Sequence, residues 1–357
     1  MKVGLLFNAN QTKGGVFQYS MSVVNSLKQN KYITELIVYT NNKDLELENV
    51  KIIQIRRHNL LFYLGVFCGL INFFPKILFK SLDLIISPSY TPLLFLSKSK
   101  FIFTLHDLQE IYYPEYFREE IRIWRNFMYK NLTNLAFKII TESNHVKDDI
   151  VRLYKNSRDK VYVIESPPFF KVDLVNESPF KFPYIFFPAQ FWKHKNHIRV
   201  IKAFKKIKEL NKEIKLVLTG SKSREFKNIY REVITLNLQD EVIFKGSIPQ
   251  SQMSTYFSNA KLIIAPTLYE SISIPVFEAF KYQVPVCASG VFAIKDQVKN
   301  AGILFDPKDI KSIFTSINLA LTNNDLRKKC IENGNKRLEY FSHSRFNSLL
   351  KQAIDEN

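Results

Sequence analysis

Two tandem Rossmann-like, doubly wound parallel-sheet α/β domains facing across a cleft are the fold class this sequence predicts, and three observations carry it. Short apolar runs alternate with helix-length amphipathic stretches from one end of the chain to the other, the pattern of repeated β-α units and of parallel sheets covered by helices. The 357 residues suit two cores better than one. The alternation lapses once, near the middle, where prolines gather.

The first series gives strands near Val3–Phe7, Leu36–Thr40, Val50–Ile55, Leu84–Ser87, Phe101–Leu105, Phe137–Thr141 and Val161–Ile164. Ser143 to Tyr154 reads as a helix: Ser143 suits the N-cap, and Val146, Ile150, Val151 and Tyr154 mark one face. The first domain is therefore set at residues 1–165. From Glu165 to Pro183 the periodicity stops, since Pro167, Pro168, Pro179 and Pro183 admit neither a continuing helix nor a central strand; residues 166–183 are the linker. The second series, residues 184–341, has strands near Tyr184–Phe187, Leu216–Thr219, Val242–Phe244, Leu262–Ala265, Val284–Ala288 and Ile303–Phe305. Helices run from Asp309 to about Leu321 and from Asp325 to about Glu339. A last one, Ser344 to about Ile354, lies in residues 342–357, a segment expected to pack back on the first domain.

Lys and Arg exceed Asp and Glu by 51 − 33 = 18, a surface field that concentrates anions without selecting one. Cys68, Cys287 and Cys330 are widely spaced and odd in number, which speaks against a disulfide framework and for a reducing compartment. The apolar run after Met1-Lys2 is too short for a secretory signal, so a cytoplasmic location is expected. Leu60 to Phe79 is almost as long as a membrane span, yet Asn72, Pro75 and Lys76 interrupt it and a buried strand follows. A core or surface-docking helix is the expectation there, with attachment to an acidic inner leaflet as a secondary one.

Four stretches carry chemistry. After the strand Leu262–Ala265, Glu270 lies in a loop and Glu278 on the helix that follows Pro275; carboxylates so placed can accept hydrogen bonds from vicinal hydroxyls of a sugar or ribose. In Phe186 to His197, where a strand turns into a helix, Lys193 and Lys195 with free backbone donors suit a pyrophosphate. His106-Asp107 directly follows a strand, at the loop position where reactive groups concentrate in α/β folds. Gly14-Gly15, between the first strand and first helix, permits close backbone approach to an anion.

These motifs resemble those of glycosyltransferase family 4 and its group 1 relatives, retaining enzymes of the GT-B fold. Glu270, Pro275, Glu278, Ala279, Pro285 and Val286 stand in the family's register, as do Lys195-Asn196, His106-Asp107 and Tyr113-Pro114-Glu115. The resemblance implies that Glu270 contacts hydroxyls of a donor sugar, that Glu278 holds the ribose of a nucleoside-diphosphate sugar and that Lys195 meets its diphosphate. It implies that His106 faces the donor sugar and reaction centre, and that Gly14 and Gly15 form the glycine loop beside the donor diphosphate or the acceptor. The sequence departs from the family where its usual glycines are Ser271 and Ser273, beside Ile274, and where its usual arginine is Gln190, with Lys193 as the compensating cation. There is no Asp-x-Asp pair, so no metal or cofactor is expected, and lysine and backbone N–H groups would neutralise the leaving group. The acceptor implied is a saccharide hydroxyl, lipid-linked, in bacterial surface polysaccharide assembly; a nucleic-acid partner is not expected. A sugar-nucleotide epimerase, a basic binding protein and a silent paralogue are the alternatives.

Overall fold

A computed structural model describes residues 1–9, 15–55, 65, 79, 81–168, 175 and 177–355. The chain divides into two compact units: Met1–Phe169 with Phe341–Asn357, and Phe170–Tyr340. Gly14, Cys68 and all of the apolar stretch Leu60 to Phe79 except Gly65 and Phe79 lie outside the described residues. Phe79 is buried edge-on against Tyr39. No helix among the described residues is long and apolar enough to cross a membrane.

In the first unit the described strands are β1 (Lys2–Phe7), β2 (Glu35–Thr40), β3 (Lys51–Gln54), β4 (Leu84–Ser87), β5 (Lys100–Thr104), β6 (Lys138–Thr141) and β7 (Val161–Val163). All pair in parallel, in the order β3-β2-β1-β4-β5-β6-β7. Such a sheet must be covered on both faces, and its side chains divide accordingly. Val3, Leu5 and Phe7 point into one core cluster, while Leu6, Ile85 and Phe103 join another. Helix α1 (Gly15–Gln29) covers the first face with Tyr19, Val23, Val24 and Leu27. After a short α2 (Gln109–Tyr112), α3 (Glu119–Leu135) and α4 (Asn144–Leu153) cover the other with Met128, Tyr129, Leu132, Val146 and Ile150. Ser143 caps α4, its Oγ accepting from the Val146 amide at 3.3 Å.

The second unit repeats the arrangement with β8 (Tyr184–Pro188), β9 (Lys215–Thr219), β10 (Val242–Gly246), β11 (Leu262–Ala265), β12 (Val286–Ser289) and β13 (Ile303–Phe305), parallel and ordered β10-β9-β8-β11-β12-β13 among the described residues. Its helices are α5 (His197–Leu210), α6 (Phe226–Thr235), α7 (Gln250–Ser258), α8 (Ile274–Lys281), α9 (Phe292–Val298), α10 (Ile310–Thr322) and α11 (Asn324–Tyr340). Chain order reverses between β1 and β4 in one sheet and between β8 and β11 in the other. Ligands of open α/β sheets bind beyond the carboxyl ends of strands at such switch points.

The last helix, α12 (His343–Asp355), returns to the first unit. Phe346, Leu350, Ala353 and Ile354, spaced at helical period, enter the core that α1 covers. Arg345 bonds the Glu165 carboxylate at 2.7 Å, and Asn347 donates to Gln29 at 2.7 Å.

Candidate functional site

The switch point of the second unit places two loops side by side. One leaves β8 and runs through a 3-10 turn, Lys193–Lys195, into α5; the other leaves β11 and runs from Pro266 to Ser273 before α8. Lys195 Nζ forms an ion pair with Glu270 Oε1 across them, both side chains largely withdrawn from solvent. The Leu268 amide and the Thr267 hydroxyl both donate to the His194 carbonyl, at 2.7 and 3.4 Å.

Asn196 locks this junction. It sits at φ 65°, a left-handed conformation that asparagine tolerates better than most residues. Its buried amide donates to the carbonyls of Pro266 (3.1 Å) and Pro307 (2.7 Å) and accepts from Arg199 (2.9 Å). Lys195 is therefore presented by a turn tied to the ends of β11 and β13. Asn196→Ala should cost about 2–4 kcal/mol, from two orphaned carbonyls and the strained φ; Asn196→Gly, relieved of the strain, should cost about 1 kcal/mol less. Denaturant melts of the two variants check the order.

Burial pulls the Lys195 ammonium down, to about 8. His197, the first residue of α5, belongs to the core: it stacks on Phe187 with ring centroids 4.2 Å apart, and burial pulls it down, to about 3. It is neutral at physiological pH.

Gln190 meets protein rather than open space. Its Oε1 accepts from both the amide (2.9 Å) and hydroxyl (2.6 Å) of Ser221. The loops after β8 and β9 touch so closely that a Cβ on Gly220, at φ 139°, would fall 2.6 Å from the Ala189 carbonyl oxygen. Lys193 is exposed on its turn.

Ser273 is buried, and its backbone is already engaged. Its N–H donates to Gln297 Oε1 and its C=O accepts from Gln297 Nε2, both at 2.8 Å. At this position, where the family has a glycine, the backbone is held by a side chain on α9. Arg337 on α11 in turn donates to the Gln297 carbonyl at 3.0 Å and the Asp296 carbonyl at 2.8 Å. Ile274 and Pro275 open α8, and Glu278 is buried one turn further on. The Glu270 loop is pinned at one end by His194 and at the other by Gln297. Gln297→Leu, which leaves two buried backbone groups unsatisfied, should cost about 2–4 kcal/mol, read from the denaturation midpoint of the second unit.

In the first unit, Gly15 opens α1 and is exposed. His106 lies just beyond β5 with both ring nitrogens occupied: Nδ1 is 2.6 Å from Glu142 Oε2, and Nε2 is 2.7 Å from the Pro88 carbonyl oxygen. Burial opposes charge on this ring, but the Glu142 carboxylate and its hydrogen bond outweigh it and raise the pKa. Asp107 pairs with Arg125 at 2.6 Å, and Arg125 also reaches Glu110 at 2.9 Å. Burial disfavours the Asp107 carboxylate, and Arg125 overrides it, holding the group below the usual carboxylate range. Among the described residues no cluster of three or more histidine, cysteine or acidic side chains could hold a metal ion. Cys287 and Cys330 are buried free thiols.

Sequence reasoning missed Glu142 and Gln297. Each acts across 36 or 24 positions of sequence, and neither stands in a recognisable motif.

Two doubly wound units, the second with a lysine-carboxylate pair at its switch point, place the chain in a class of α/β folds that bind ligands beyond their strand ends. The comparisons narrow it. Residues 173–337 match the family "Glycosyl transferases group 1", and residues 13–167 match "Glycosyltransferase Family 4". The chain is similar to the O-antigen chain mannosyltransferase RfbU of Salmonella typhimurium, with 26% identity over 58% of this chain and 57% of that protein. It is also similar to O-antigen chain mannosyltransferase B of Escherichia coli, with 23% identity over 67% of this chain and 66% of the relative. The alignments thus span less than two thirds of these relatives. Sucrose-phosphate synthase from Thermosynechococcus elongatus shares the fold, with a TM-score of 0.77 over 99% of this chain and 98% of that one at 18% identity. The chain belongs to the group 1, family 4 glycosyltransferases, and its fold is GT-B.

Proposed function

We propose that this glycosyltransferase is a retaining, metal-independent enzyme that moves a sugar from a nucleoside-diphosphate sugar to a hydroxyl of a saccharide acceptor during bacterial surface polysaccharide assembly. The observation that carries the reading is the Lys195–Glu270 pair at the carboxyl ends of β8 and β11, with Glu278 on the next helix.

In this reading the two partners separate when the donor enters. The diphosphate takes Lys195, and Glu270 turns to the sugar hydroxyls, so the apo ion pair keeps each charge compensated until the ligand replaces it. Glu278 accepts from the ribose hydroxyls. In the transfer itself the bond between the anomeric carbon and the phosphate oxygen breaks, and the acceptor oxygen bonds to that carbon from the same face. The acceptor's proton passes to the departing phosphate oxygen. Lys195 stabilises the charge that develops there, the role a metal ion plays in other transferases. Gln190, committed to Ser221, leaves Lys193 and Lys195 as the cations of this loop.

The names of the relatives, O-antigen chain mannosyltransferases, support a saccharide chain as acceptor; in this reading it is lipid-linked, and the excess of 18 positive charges suits an enzyme at the acidic inner leaflet, on the cytoplasmic side. Purified chain, incubated with UDP-, GDP- or dTDP-sugars, a lipid-linked saccharide acceptor and excess EDTA, should give a product whose new glycosidic bond has the donor's anomeric configuration by NMR. An inverted linkage, or transfer abolished by EDTA and restored by a divalent cation, would refute the mechanism. Conversion of the donor sugar without acceptor would favour an epimerase.

A further inference from the structure

The environment of His106 specifies more than a histidine beside a strand end. The Pro88 carbonyl can only accept, so Nε2 must carry a proton to make its 2.7 Å contact. A carboxylate 2.6 Å from Nδ1 would meet a lone pair if that nitrogen were bare, so a second proton must lie on this axis too. Glu142 is buried at 5% side-chain exposure and His106 is at 18%, which leaves little water to substitute for either partner. The other groups facing the ring do not compete for it. Tyr19 of α1 approaches edge-on at 5.0 Å with its hydroxyl committed to Thr104 at 2.9 Å, and burial keeps that phenol neutral. Asp107, next in the chain, is paired with Arg125 of α3.

We propose that Glu142 is a positioning residue that holds His106 as an imidazolium of fixed orientation, so that the first unit contributes a fixed imidazolium–carboxylate pair at the ends of β4, β5 and β6 and not a histidine that shuttles protons. A ring bonded at both nitrogens cannot exchange a proton with a substrate without first breaking one of these contacts. The oriented imidazolium, by contrast, acts through its field without any movement. The raised pKa of His106 agrees with this arrangement. The inference relies on the transferase reading for its kinetic arm only.

Nitrogen NMR of the full chain labelled at its six histidines tests it, with the His106 signals assigned by their loss in His106→Asn. At pH 7 the wild type should show both His106 nitrogens protonated. In Glu142→Gln the new amide can donate to Nδ1, so the ring should become neutral with its proton on Nε2 while the melting curve stays close to that of the wild type. A neutral His106 in the wild type at pH 7, or a spectrum unchanged by Glu142→Gln, overturns the proposal. In the kinetic arm, Glu142→Gln should lower kcat about tenfold or more with donor KM within about threefold, and lowering the pH to 6 should not restore it. Wild-type turnover in Glu142→Gln would overturn the role of the charge. A chain with no transfer activity would refute the transferase reading and leave the spectrum decisive.

Discussion

Lys195→Ala should lower the rate of sugar transfer by about 10²–10³-fold, the usual consequence of removing one preorganised stabiliser of a developing anion. Its unfolding transition should stay close to that of the wild type, because Glu270 retains some solvent exposure and can rehydrate. The loss should be greater in kcat than in donor KM, since the charge on the leaving oxygen is largest in the transition state. The pH dependence follows from the same group. Burial lowers Lys195 to about 8, so the ammonium is present below that pH and is lost as pH rises through it, far earlier than for a solvated lysine. Accordingly kcat/KM, which reports the free enzyme, should fall on the alkaline side with a midpoint near 8. Lys195→Arg, which keeps its charge throughout, should lack this limb whatever its absolute rate. A rate in Lys195→Ala within threefold of wild type would refute the role.

The second large effect is on stability. Phe346 is almost completely buried against Tyr19, with ring centroids 6.1 Å apart, although it is contributed by a helix at the far end of the chain. Phe346→Ala should cost about 3–5 kcal/mol in the first unit, and removal of residues 343–355 should leave the face that α12 covers open to water. Unfolding followed separately in the two units, by protection of backbone amides from hydrogen exchange, should show the loss confined to Met1–Phe169 and Phe341–Asn357. Equal loss of protection in Phe170–Tyr340 would contradict the division of the chain.

The strand-forming runs were legible because each is short, apolar and bounded by breakers: β4 and β11 fall at the expected residues, and β3 and β12 differ by one or two at their ends. The partnership of Lys195 and Glu270 was readable only through motif register, since 75 positions separate them and no local pattern couples a 3-10 turn to a distant loop. What escaped is of one kind. Gln190 stands where the family has an arginine, and nothing local shows that its amide serves the neighbouring loop through Ser221. Ser273 stands at a family glycine, and its neighbours in sequence give no sign that Gln297 bonds its backbone. Glu142 carries no signal in sequence because only the sheet, by setting β5 beside β6, brings it to His106. Side-chain amides and carboxylates that satisfy buried groups over long sequence separations follow from topology, and composition does not encode them.

Binding of one nucleoside-diphosphate sugar by the second unit is measured directly by calorimetric titration. UDP-glucose, GDP-mannose and dTDP-glucose are titrated into wild type, Lys195→Ala and Glu278→Gln. The predicted result is that one of the three binds the wild type with unit stoichiometry and that each substitution weakens it tenfold or more, about 1.4 kcal/mol. Saturable binding of none of the three by the folded wild type, or equal affinity in all three proteins, would contradict it.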